Sequence, residues 1–84
     1  MGVCAKQAFT DITLQRFHCI QARASASYGI SISGNQGSAS KNGITIEWCY
    51  DPTTLILELQ CIESPFFVSC PKINGSILSL ADSC

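Results

Sequence analysis

Six cysteines, one histidine and six carboxylates are the side chains of this sequence with the chemistry for catalysis, metal binding or cross-linking. The cysteines stand at positions 4, 19, 49, 61, 70 and 84. Their even number fits a disulfide framework, but spacing alone leaves the pairing open. Cys19, Cys61, Cys70 and Cys84 fall on faces that periodicity assigns to the core, and free cysteine is among the most buried residue types. The leading expectation is reduced thiols acting as small core hydrophobes. The alternative is two or three disulfides, with Cys4 and Cys84 placed to close nearly the whole chain. Cys49 points with Thr45, Glu47 and Asp51 to the other side of its strand and is expected at the surface or in an interface. No Cys-x-x-Cys pair and no second histidine accompany these thiols, so neither a zinc site nor another cofactor is expected. Any Cys–His catalysis would need His18 as its base. His18 lies opposite the apolar stripe of its helix and reads as a solvated residue. No catalytic constellation assembles, and the expectation is a non-enzymatic protein.

Two further groupings come from strand pairing. If Tyr50 stands opposite Leu55, then Trp48 meets Leu57, Ile46 meets Leu59, and Glu47 faces Glu58. Like charges directly opposite are destabilising. Such a carboxylate pair can share a proton or bind a cation; the leading expectation is that the two splay into water or meet Lys41, Lys72 or Arg23 of the same or another subunit. Tyr28, Trp48, Tyr50, Phe66 and Phe67 form the aromatic set. They serve either as core or as the lining of a pocket for an apolar small molecule.

The elements that position these residues follow from periodicity. Residues 5–22 read as a helix with Ala5, Ala8, Phe9, Ile12, Cys19 and Ile20 on one stripe, at about 100° per residue. Arg16 interrupts that stripe and has to snorkel. Residues 25–33 alternate apolar and polar, as a half-buried strand does. Residues 34–43 are turn-rich, with Ser38–Ser40 extending the next strand and Asn42-Gly43 as a bulge. Strands 44–50 and 55–62 flank an Asp51-Pro52-Thr53-Thr54 turn. Ser64-Pro65 ends the last strand, and Ile73, Ile77, Leu80 and Ala81 recur at helical spacing over 71–83, with Pro71 near the first turn. The expected fold is α+β: an α-β-β-β-α two-layer sandwich, a three-stranded antiparallel meander with both helices on one face, in a single domain spanning 1–84.

Strand 25–33 would be an edge without lysine, proline or charge. Ser27, Ser31 and Ser33 on its outer face would invite a second strand. Charged residues make up 13% of the chain, about half the usual ~25%, and 11 serines stand in their place. Low charge with a net balance of −1 favours self-association. The leading functional expectation is therefore a homo-oligomeric or protein-interaction module. The alternatives are a binder of an apolar small molecule in a sheet–helix pocket and a secreted, disulfide-stapled effector, toxin or inhibitor. The scattered basic residues lack the footprint of a nucleic-acid binder. No apolar run reaches the ~18 residues of a membrane span. No secretory leader is legible, so the cytoplasm is slightly favoured over secretion. Met1-Gly2 resembles the opening of a myristoylation signal, but Lys6 stands where Ser or Thr is expected. Asn74-Gly75-Ser76 fits a glycosylation sequon but falls inside the second helix and is set aside as a pattern common by chance.

Overall fold

The structure, a computed structural model, describes residues 3–84. The Met1-Gly2 motif lies outside the described residues. The chain runs β1 (Gln7–Phe9), α1 (Leu14–Arg23), a π-helical turn (Ala24–Tyr28), β2 (Gln36–Lys41), β3 (Ile44–Asp51), β4 (Ile56–Glu63) and α2 (Cys70–Asp82). The fold is α+β, as the periodicity implies. β2, β3 and β4 form an antiparallel meander, and β1 adds a fourth strand on the far side of β4, giving the order β1-β4-β3-β2.

The inner face of the sheet is apolar because β3 and β4 alternate. Ile46, Trp48 and Tyr50 join Leu57, Leu59 and Cys61, all buried, in one core with Phe17 and Ile20 of α1 and Ile73 and Ile77 of α2. The register differs from the expected one by two residues: Tyr50 pairs with Leu57, Trp48 with Leu59 and Ile46 with Cys61. A slip of one residue would turn every side chain over; a slip of two leaves the faces intact. The turn sets the difference. Leu55 is left-handed (φ 60°), its amide donates to the Asp51 carbonyl at 2.8 Å, and its own carbonyl accepts from the Ile12 amide at 2.9 Å. Leu55 therefore belongs to a four-residue loop, and pairing begins at Asp51 and Ile56.

The segment expected as a helix over 5–22 divides in two. Residues 7–9 pair with Leu57–Leu59 of β4 and occupy what would otherwise be an open edge. Asp11 (φ 58°) turns the chain, and the Thr13 hydroxyl accepts from the Arg16 amide to cap α1. A threonine cap satisfies one of the free amides of a first turn, so the helix starts at Leu14 although the apolar stripe extends further back.

Residues 25–33 are not a strand. The helical path continues through the π-helical turn to Gly29, which is left-handed (φ 68°). There the Gly29 and Ile30 amides return to the Ser25 and Ala24 carbonyls, a helix-ending arrangement that glycine permits. The alternation is nonetheless real beyond that point: Ile30 and Ile32 are buried while Ser31 and Ser33 are exposed. These residues face the core without a ladder partner among the described residues, and the Gln21 amide holds the Ile32 carbonyl at 3.0 Å.

Asn42-Gly43 is a hairpin turn rather than a bulge. Both residues have positive φ, 55° and 82°, and Lys41 pairs directly with Ile44. That is the geometry of the type I′ turn that Asn-Gly favours. The irregularity in the sheet lies instead beside Thr45 and Ile46, opposite Cys61–Glu63.

Two disulfides bind the layers. Cys4–Cys70 joins the segment before β1 to the start of α2, and Cys19–Cys84 joins α1 to the chain two residues beyond the end of α2. Their Cα separations of 5.4 and 5.9 Å lie within the usual range. Both ends of α2 are thus bolted down. Arg16 adds a third tie: its guanidinium donates to the Asp11 and Ala81 carbonyls at 3.0 and 3.4 Å. The snorkelling arginine thereby places positive charge at the C-terminal end of α2, where the helix dipole favours it.

Candidate functional site

The cysteines divide by role. Four form the disulfides, so the expectation of a fully reduced core does not hold, and the Cys4–Cys84 pairing is replaced by Cys4–Cys70 and Cys19–Cys84. Cys61 is a buried free thiol that donates to the Glu63 carbonyl at 3.2 Å. Cys49 is free and exposed on the outer face of the sheet. His18 is exposed on α1. Among the described residues, no three His, Cys, Asp or Glu side chains are arranged to hold a metal ion.

The shifted register separates the two glutamates. Glu47 pairs with Gln60, and Glu58 pairs with Cys49 and, on its other side, with Ala8. Both glutamates still line one polar groove of about 440 Å³ on the outer face, together with Lys6, Gln36 and Cys49. The groove offers charges of both signs and no directly opposed carboxylate pair.

The aromatic set is dispersed. Tyr50 is core: its ring stacks on Phe17 at 4.2 Å and its hydroxyl donates to the Ile12 carbonyl at 2.6 Å. Trp48 is core as well, with its indole N–H on the Gly34 carbonyl at 3.3 Å. Gly37, its cross-strand partner, leaves room for the ring. A Cβ there would stand 3.0 Å from Trp48 Cζ2. Phe66 and Phe67 are 92% and 75% exposed and meet only edge to face, at 5.5 Å. Trp48 also borders the polar groove on the outer face, and Tyr28 is the one member of the set that lines a second, apolar cavity. The serines expected on a sheet edge, Ser27, Ser31 and Ser33, lie in the π-helical turn and the irregular segment after it; the edge strands are β1 and β2.

The cavity that Tyr28 reaches lies between the sheet, the segment following α1, and α2. It holds about 380 Å³ and opens to solvent. Its walls are apolar: Ile30 and Ile32 on one side, Ile44 and Ile46 on the sheet, Ile73 and Ile77 on α2. The volume lies within the ~300–1,000 Å³ range of small-molecule sites. Its polar positions are few. Ser27 lies in the π-helical turn beside Tyr28, Lys41 ends β2, Asn42 opens the hairpin turn, and Lys72 and Ser76 stand one turn apart on α2. Lys41 and Lys72 are both exposed, which puts them at the open side. The Lys41 stem lies against Gly29, where a Cβ would approach Cε to 3.2 Å and Nζ to 3.5 Å.

These isoleucines are legible in the sequence as core side chains; the space between them is not. The alternation at 29–33 and the helical spacing at 73 and 77 each report a face turned inward, not whether two faces close on each other. Asn42-Gly43 was the available signal for Lys41, because reading it as a hairpin turn puts Lys41 and Ile44 side by side at the end of the ladder. No protein-family model, no curated protein and no solved structure matches this chain.

Proposed function

We propose that this protein is a disulfide-stapled binding module that takes an apolar small molecule into the cavity between its sheet and α2. The observation that carries the reading is the cavity itself: an apolar space of about 380 Å³, open to solvent and walled by isoleucines from three parts of the chain. Cross-linking both ends of α2 supports it, because a wall held by covalent bonds can remain in place without packing fully against the sheet. The two disulfides also support an oxidising compartment rather than the cytoplasm, where thiols are kept reduced. The neutral probe N-phenyl-1-naphthylamine tests the reading. Saturable one-to-one fluorescence enhancement is expected from the oxidised protein, and Ile77→Trp, which fills the cavity, should abolish it. Ile30→Phe serves the same purpose if the tryptophan variant does not fold. No enhancement, or enhancement unchanged in the filled variants, would overturn the reading.

A second reading, self-association, is supported by β2. This open edge strand, Gln-Gly-Ser-Ala-Ser-Lys, carries only one charge, at its end. Such an edge can accept another strand. A dimer or larger oligomer is then expected by light scattering at micromolar protein, and a monomer across that range would rule it out.

A further inference from the structure

We infer that the cavity selects a single-chain amphipathic anion, with the alkyl chain among the isoleucines and the anionic headgroup at Lys41 and Lys72. The inference rests on the pocket reading and adds the ligand's chemical class. It is carried by the distribution of charge around the opening. The chain bears six acidic and five basic residues and a net charge of −1. None of the six acids lines the cavity, whereas two of the five bases do. The rim is cationic on a slightly acidic protein.

The two lysines come from different elements and converge on one opening. Lys41 is the last residue of β2, held in register by its pairing with Ile44. Its stem runs along the backbone at Gly29, which has no side chain to displace it. Lys72 lies in the first turn of α2, next to Ile73 and one turn before Ser76. Its position is fixed by the disulfide at Cys70 two residues earlier. Asn42 adds an uncharged polar residue beside the lysines. The Ser76 hydroxyl already donates to the Lys72 carbonyl at 3.2 Å, so an anion entering this rim meets the two lysines and Asn42 and no carboxylate. Below the rim the wall offers the aliphatic surface of Ile30, Ile32, Ile44, Ile46, Ile73 and Ile77. A neutral apolar ligand would leave the lysines unused, and a cationic one would be repelled.

Calorimetric titration of the oxidised protein with decanoate, decanol and decyltrimethylammonium tests this, because the three share one chain and differ in head charge. Decanoate is expected to bind roughly tenfold more tightly than decanol, the scale of two partly exposed ion pairs, and the cation least. In the double variant Lys41→Gln/Lys72→Gln, decanoate and decanol should bind alike, with an unchanged urea-unfolding midpoint as proof that the fold is intact. Raising the salt should shrink the preference without weakening decanol. Shortening the carboxylate by one methylene should weaken it about fourfold. Equal binding of all three ligands, or a preference for the cation, would overturn the inference while leaving the pocket reading standing. Failure of all three to bind, together with a flat N-phenyl-1-naphthylamine titration, would overturn both.

Discussion

Asp51 stands at the corner between β3 and β4, and its carboxylate accepts hydrogen bonds from the Thr53 and Thr54 amides at 2.8 and 3.4 Å. These two bonds, Thr53 first, hold the carboxyl below the usual carboxylate range. Hydrogen bonding to the charged form is the cause. Because the folded pKa is depressed, the contribution to stability is complete above the unfolded value near 3.8 and is lost as pH falls through the folded value. Asp51→Asn keeps an acceptor oxygen but cannot titrate. The stability gap between wild type and this variant, measured by urea unfolding, should be constant above about pH 5 and narrow steadily below pH 4. A gap that stays level down to pH 2 would show that the turn draws nothing from the charge. Asp51 was legible as a turn residue from its type and the following proline. The loop's fourth residue, Leu55, was not, because a leucine in the left-handed region is disfavoured in isolation and is held here by the Asp51 carbonyl and the Ile12 amide.

At the scale of elements, the sequence was most readable where local pattern and tertiary role coincide. The α2 helix was expected over 71–83 and spans Cys70–Asp82, with Ile73, Ile77, Leu80 and Ala81 buried. β3 and β4 lie within a residue of their expected ends, since each buries one face and alternates cleanly. Failure came where one pattern served another purpose. The apolar residues before Thr13 continue the α1 stripe, yet Gln7–Phe9 are taken by the free side of β4. The alternation of 25–33 begins inside a helical turn and ends as an irregular segment with two buried isoleucines. Inward-facing side chains every second residue require an extended chain, but they do not require a neighbouring strand. The candidate site was obscured for the same reason. Its walls were visible as separate core faces, and only Tyr28 of the expected aromatic set lines it. Lys41 and Lys72 carry no local signal that they share an opening.

At the scale of the molecule, the disulfides decide how firmly those faces stay in place. An 84-residue chain buries a smaller fraction of its surface than a large domain, and this one also leaves a solvent-open cavity beside its core. The cross-links span sequence separations of 66 and 65 residues. Closing a loop of that size removes about 4 kcal/mol of unfolded-state entropy in the chain-entropy model. The two loops overlap along most of the chain, so their effects do not add independently. Replacing one pair, Cys19→Ser with Cys84→Ser, should cost about 2–5 kcal/mol in urea unfolding. It should also weaken N-phenyl-1-naphthylamine uptake, since the end of α2 nearest Leu80 would then be held by the Arg16 guanidinium and packing alone. Replacing Cys4 and Cys70 instead frees the end that bears Lys72, so the loss of decanoate selectivity should exceed the loss of neutral probe binding. Alkylation of the native oxidised protein should modify Cys49 and spare Cys61, which is fully buried on the core side of β4. If reduction of both disulfides left the unfolding midpoint and the probe titration unchanged, the cross-links would be incidental to the fold, and α2 would have to be held over the cavity by its apolar face alone.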